Sequence, residues 1–143
     1  MGEGAMFRKI FCPVDLTHAA RLGPAIDVAA DLARHYGASV VFAAVSAEAP
    51  TEIAHNPDEF RARLDAFAHD QGQKHGIAVE ALALFSHDPA IDLDHTLLAH
   101  LHDTGADLVV MATHIPKVVD RIWPSNGGVI ASRADISVFL VRP

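Results

Sequence analysis

Cysteine is almost missing from this sequence. One residue, Cys12, occurs in 143, and it lies within an apolar run. No disulfide can therefore close within the chain, and a reducing, cytoplasmic setting is expected. Positive charge is also scarce: 11 Lys and Arg stand against 18 Asp and Glu, for a formal net charge of −7. Nucleic acids and anionic membranes reward basic surfaces, so neither is expected as the main partner. A small anion held by backbone dipoles stays open. Long apolar runs are absent too. Stretches such as "VVFAAV" are far too short to span a bilayer, and the opening "MGEGAMFRKI" lacks the apolar segment of a signal peptide. Residues 1–6 read as a short tail, with Met6 as an alternative start. There is no GxxxxGK[ST] loop and no acidic cluster able to hold Mg²⁺, which counts against a catalytic ATPase or nucleotidyl-transfer enzyme.

What the chain does have is apolar mass. Half of it is hydrophobic, which suits a globular protein with one substantial core. Without repeats, low-complexity tracts or linkers, residues 1–143 read as a single domain. Two textures alternate along it. "KIFCPV", "SVVFAAVS", "IAVEALALF", "DLVVMAT" and "SVFLVR" are short, apolar and read as strands. The fourth is the most continuously apolar and is expected to be central.

Between them lie helical patterns. In "HAARLGPAIDVAADLARHYG" the residues Ile26, Ala29, Ala30 and Ala33 share one face and Gly37 closes it. Pro24 either loosens the first turn or marks where the regular helix begins. "NPDEFRARLDAFAHDQGQKHG" opens with Asn56 as N-cap, Pro57 in first position and Glu59 completing a capping-box pattern. "DPAIDLDHTLLAHLHDTG" carries Leu93, Leu97 and Leu101 at helical spacing and ends at Gly105. "SNGGVIASRA" reads as a fourth, short helix. The alternation predicts an α/β fold with right-handed crossovers and a parallel sheet covered on both faces. Such sheets bind ligands beyond the carboxyl ends of their strands, where the strand order reverses. The most polar strand ends are "PVDLT" and "ATHIP".

These segments resemble, in order and spacing, those of the universal stress protein family. "CPVD" resembles that family's Asp-containing end of the first strand. "HDPAIDLDHTLLAHLHDTGADLVVMATH" resembles its third helix and fourth strand. "ATHIP" followed by "WPSNGG" and "SVFLVR" is similar to the branch whose loop runs Ser-His-x-Pro and then Gly-Ser-Asn. The likeness runs from about Phe7 to Arg142. It implies a five-stranded parallel sheet in order 3-2-1-4-5, a Rossmann-like architecture. It implies a homodimer paired through the last strand, ATP or ADP as ligand with Mg²⁺ accompanying it, and a regulatory role in stress response.

Residue by residue, the resemblance assigns Asp15 to the adenine amino group. The alternative is that Asp15 caps the first helix, alone or with Thr17, and the two roles are compatible. Pro13, Val14 and Val45 match backbone and apolar contacts to the base, although Val45 reads more simply as core. Met111 and Ala112 end the fourth strand, and Ala112 stands where binders carry glycine. His114 keeps the family's histidine, Lys117 is a cation near the presumed phosphates, and Ser125, Asn126 and Gly127 keep backbone donors for phosphate at a helix start. Pro124 is the chief departure, since proline has no N–H to give. Trp123 beside it reads as buried against the sheet. The expectation is a weakened nucleotide site; the rival is a dimeric scaffold that binds no nucleotide. No activated nucleophile or acid–base pair is evident, so slow hydrolysis or self-phosphorylation is the most that His114 and Ser125 would support. Asp88, Asp92, His95 and His102 fall on one helical face, where Asp92 and His95 form a candidate metal pair. A solvated polar face is the simpler reading.

Overall fold

The short apolar runs form strands β1 (Lys9–Pro13), β2 (Ser39–Ala47), β3 (Val79–Ser86), β4 (Leu108–Ala112) and β5 (Ser137–Val141). Helices α1 (Gly23–Tyr36), α2 (Pro57–His75) and α3 (Pro89–Leu101) connect the first four. The computed structural model describes residues 6–17, 22–47, 56–112, 130 and 133–142. All five strands run parallel in one sheet ordered β3-β2-β1-β4-β5, as the family likeness implies. Most of the fourth helical pattern and Trp123 lie outside the described residues.

Helix ends follow local chemistry. α1 begins at Gly23 with Pro24 in its first turn, so the proline marks the start and does not loosen a longer helix. The N-cap position of α1 is held by Leu22, not Asp15, and makes no side-chain cap bond. The buried face of α1 is Ala25, Ile26, Ala29, Ala30 and Ala33, four alanines that let the helix sit close to the sheet and one isoleucine. α2 starts as expected: Asn56 Oδ1 accepts the Glu59 N–H at 2.8 Å, and Pro57 takes the position whose N–H would be orphaned anyway. Gly37 and Gly76 close α1 and α2 with φ of 67° and 65°, in the left-handed region that side chains avoid. α3 stops sooner than its pattern suggests. After Leu101 the chain tightens into a 3-10 turn, His102–Thr104, where the Thr104 hydroxyl donates to Leu101 O at 2.6 Å.

β2 shows how the layers are built. Phe42 meets Phe67 of α2 edge-on, with ring centroids 5.5 Å apart. Its neighbour Val41 points to the other face and shares a groove with His100 of α3. So α2 and α3 cover opposite faces, as right-handed crossovers require. β4 is interior, lying between β1 and β5, but the middle place belongs to β1. A continuous apolar run reports burial on both faces, which any interior strand has, and does not rank strands within the sheet. Cys12 is buried in β1, and burial pushes its thiol up to about 12. It is inert as a nucleophile near neutral pH.

One contact fixes the spacing of α2 over β3. Gly72 is buried, and a Cβ there would come within 2.9 Å of Val79 Cγ2 and 3.2 Å of the Ile77 carbonyl oxygen. Alanine normally improves a helix interior by about 1 kcal/mol over glycine. Here overpacking, typically about 1–3 kcal/mol, opposes that gain. Gly72→Ala should therefore lower stability by about 1 kcal/mol in urea denaturation. A gain in stability would show that α2 is free to lift off β3.

Candidate functional site

Strand order reverses between β1 and β4: β2 and β3 lie to one side, β5 to the other. β1 and β4 pair Ile10 with Leu108 and Phe11 with Val109. Carried forward, this register brings Pro13 level with Met111 and Val14 level with Ala112. The side chains of Pro13, Val14 and Met111 are buried, and the Val14 N–H donates to Ala43 O at 2.8 Å. These three build the core beneath the candidate site. Ala112 is half-buried at the end of β4.

Asp15 follows β1 and is held in a defined pose. Its Oδ1 accepts from the Thr17 N–H at 3.0 Å and from the Thr17 hydroxyl at 2.6 Å. The pair braces the 3-10 turn that begins at Leu16, in place of the helix cap read from the sequence.

A cavity of about 180 Å³ opens beside it. Asp15 and Thr17 form one wall, Val45 and Ser46 from the end of β2 another, and Phe60 and Pro89 close it. The structure thus brings Asp15 and Val45 together, while Pro13, Val14, Met111 and Ala112 do not line this cavity. His114, Ser125, Asn126 and Gly127 lie outside the described residues, as do Lys117 and Pro124. Ser46, Phe60 and Pro89 were not foreseen. A signal for the last two existed. In a parallel sheet every connecting helix starts at the carboxyl edge, so first-turn residues gather there. Phe60 lies in the first turn of α2 and Pro89 opens α3. The positive ends of both helix dipoles therefore face this edge. Ser86 organises the entry to α3 by accepting the Asp88 N–H on its hydroxyl at 3.2 Å.

Among the described residues, no three of His, Cys, Asp or Glu converge on a point as a metal would require. After α3, His102 sits on the 3-10 turn, with Nε2 3.2 Å from Asp135 Oδ1. The Asp92 side chain is outside what is described. Asp94 is half-buried; burial pushes its carboxyl above the usual range while Arg133 pulls it down. No described helix is long and apolar enough to cross a membrane.

The family model for the universal stress protein family matches residues 6–142. No curated protein matches the chain. Among solved structures, a universal stress protein family member from Burkholderia pseudomallei is 21% identical, with a TM-score of 0.66 over 96% of this chain and 98% of that one. A universal stress protein in complex with cAMP matches at 17% identity and TM-score 0.66, covering 94% of this chain and 97% of that one. The universal stress protein from Archaeoglobus fulgidus in complex with dAMP matches at 18% identity and TM-score 0.61, covering 94% and 98%.

Proposed function

Because the chain belongs to the universal stress protein family, we propose that it is a regulatory adenine-nucleotide binder, acting in the cytoplasm as a homodimer paired through β5. The observation that carries this reading is the cavity that joins the braced Asp15 to Val45 at the carboxyl edge of the sheet. Its volume, about 180 Å³, is below the roughly 300–1,000 Å³ usual for a whole small-molecule site. That suits a planar base and not a whole nucleotide. The base would enter between Val45 and Phe60, with its amino group donating to Asp15. Ribose and phosphates of ATP or ADP, with any accompanying Mg²⁺, would run toward Ala112 and the residues after it. There the family likeness assigns phosphate contacts to His114, Ser125, Asn126 and Gly127. Two relatives solved with adenine nucleotides support the ligand class.

Pro124 withholds one backbone N–H and Ala112 adds a methyl where glycine allows close approach. ATP should therefore bind with a Kd in the micromolar range or weaker, about −8 kcal/mol or less favourable. Asp15→Asn is the discriminating variant. It keeps an oxygen for Thr17 but replaces a carboxylate acceptor by an amide that also donates. A hydrogen bond to a charged group is worth about 1.5–3 kcal/mol, so ATP affinity should fall tenfold or more in calorimetry. GTP, whose base presents a carbonyl in place of the amino group, should lose much less. A second reading, a dimeric scaffold without nucleotide, is favoured by Pro124 and Ala112. Absence of heat at millimolar ATP would establish it.

A further inference from the structure

We infer that Ser46 is a second polar determinant of ligand choice in the Asp15 cavity: its hydroxyl donates to a ring nitrogen beside the amino group that Asp15 receives. This role rests on the nucleotide reading and narrows it, from an adenine nucleotide in general to a ligand edge that pairs an amino donor with an unprotonated ring nitrogen.

The buried layer of the protein is almost wholly apolar. Among the described residues only two polar side chains are buried, Ser46 and Ser86, and both stand at the carboxyl ends of their strands. Ser86 has a structural task, holding the Asp88 N–H at the entry to α3. Ser46 has no such task. It is 9% exposed, and its Oγ finds no hydrogen-bond partner among the described residues. A buried hydroxyl without a partner lowers stability. The same strand carries Ala43, Ala44 and Ala47, and a further alanine at position 46 would fill the space without that cost.

Placement directs the hydroxyl at the ligand. Alternation along β2 sets Ser46 on the face of Phe42 and Ala44, the face that α2 covers. Across the ladder it is level with Phe85, whose ring meets Phe60 at 5.7 Å between centroids. Ser46 therefore faces the Phe60 side of the cavity it lines. Three of the lining side chains are polar: Asp15, Thr17 and Ser46. The carboxylate of Asp15 can only accept. The Thr17 hydroxyl sends its proton to Asp15. Ser46 is left as the side chain with a proton to give. An acceptor and a donor on neighbouring walls complement a ligand edge that carries a donor and an acceptor side by side. Adenine offers such an edge on either side of its amino group, with N1 or with N7. A ring of the same outline with carbon in place of that nitrogen would satisfy Asp15 and leave Ser46 unpaired.

The test titrates the full chain, wild type and Ser46→Ala, with ATP, 1-deaza-ATP and 7-deaza-ATP in calorimetry. Ser46→Ala should weaken ATP about two- to tenfold, the range for a neutral hydrogen bond. It should melt no lower than the wild type, since the hydroxyl holds nothing in the fold. With the wild type, the deaza analogue that lacks the bonded nitrogen should bind more weakly than ATP by the same factor. With Ser46→Ala it should bind as ATP does. Equal binding of all three nucleotides by the wild type would overturn the role of Ser46 and leave the nucleotide reading standing. So would ATP affinity that falls with Asp15→Asn but ignores Ser46→Ala. Equal weakening of all three nucleotides by Ser46→Ala would also overturn it, by showing a disturbed cavity and no specific bond. No heat with any nucleotide would reject the nucleotide reading, and the role of Ser46 with it.

Discussion

At micromolar concentration the wild-type chain should sediment at twice its mass of 15.3 kDa, and Leu140→Lys should sediment at the single mass while staying folded. β5 forms one edge of the sheet and pairs only with β4 among the described residues. Of the large hydrophobic side chains left exposed among those residues, two of three, Phe139 and Leu140, belong to it, at 45% and 37%. They alternate along the strand and so occupy its two faces. An apolar edge with open N–H and C=O groups invites another strand. A second copy of β5, antiparallel across a two-fold axis, would satisfy both edges at once. Each substitution then places two lysines in one interface, and edge lysine is a recognised block to pairing. Val138 is the poorer probe, because it packs half-buried against the core and a lysine there would damage the fold itself. A monomeric wild type, or a dimer indifferent to Leu140→Lys and Phe139→Lys, would reject the strand-edge interface.

Phe42→Ala should cost about 3–5 kcal/mol, the range for truncating a buried phenylalanine. Phe42 is wholly buried in β2 and sets its ring edge-on against Phe67, at an interplanar angle of 86°. The variant loses transfer free energy, the aromatic pair and the packing of α2 over the sheet, and it leaves a cavity under a helix already held down at Gly72. Thermal melting should fall on the order of 10 °C. Phe139→Ala, compared at the same protein concentration so that dimerisation acts equally, should cost far less. Urea denaturation with an unchanged slope would confirm that stability changed and the unfolded state did not. A cost below about 1 kcal/mol would mean that α2 does not rely on this contact.

Local chemistry was the most legible part of the sequence. Asn56, Pro57 and Glu59 announce the start of α2 because a cap, a proline and a backbone N–H meet within four residues. Gly37 announces the end of α1 because glycine takes the left-handed φ needed there without strain. Apolar continuity identified strands but misled on rank: β4 reads as the most buried, yet β1 lies in the middle. Burial is a property of each strand's faces, and order is a property of crossovers. At the site, Asp15 and Val45 were legible through family likeness. The Thr17 brace was legible only in part, because an Asp two residues ahead of a threonine fits a helix cap as well as an isolated turn. Phe60, Pro89 and Ser46 were not legible as a group, since they reach the cavity from α2, α3 and β2.

The place of β1 also sets a timetable for synthesis. Ile10 can find Val40 of β2 early, but its other partner, Leu108, is made only after one more strand and two more helices. Until then the innermost strand has one open edge, flanked by some of the most apolar residues in the chain. A nascent or truncated chain ending before β4 therefore presents an adhesive template in its most buried element. Chaperone capture should concentrate in that interval, and pauses in translation before Leu108 should favour aggregation more than equal pauses after it.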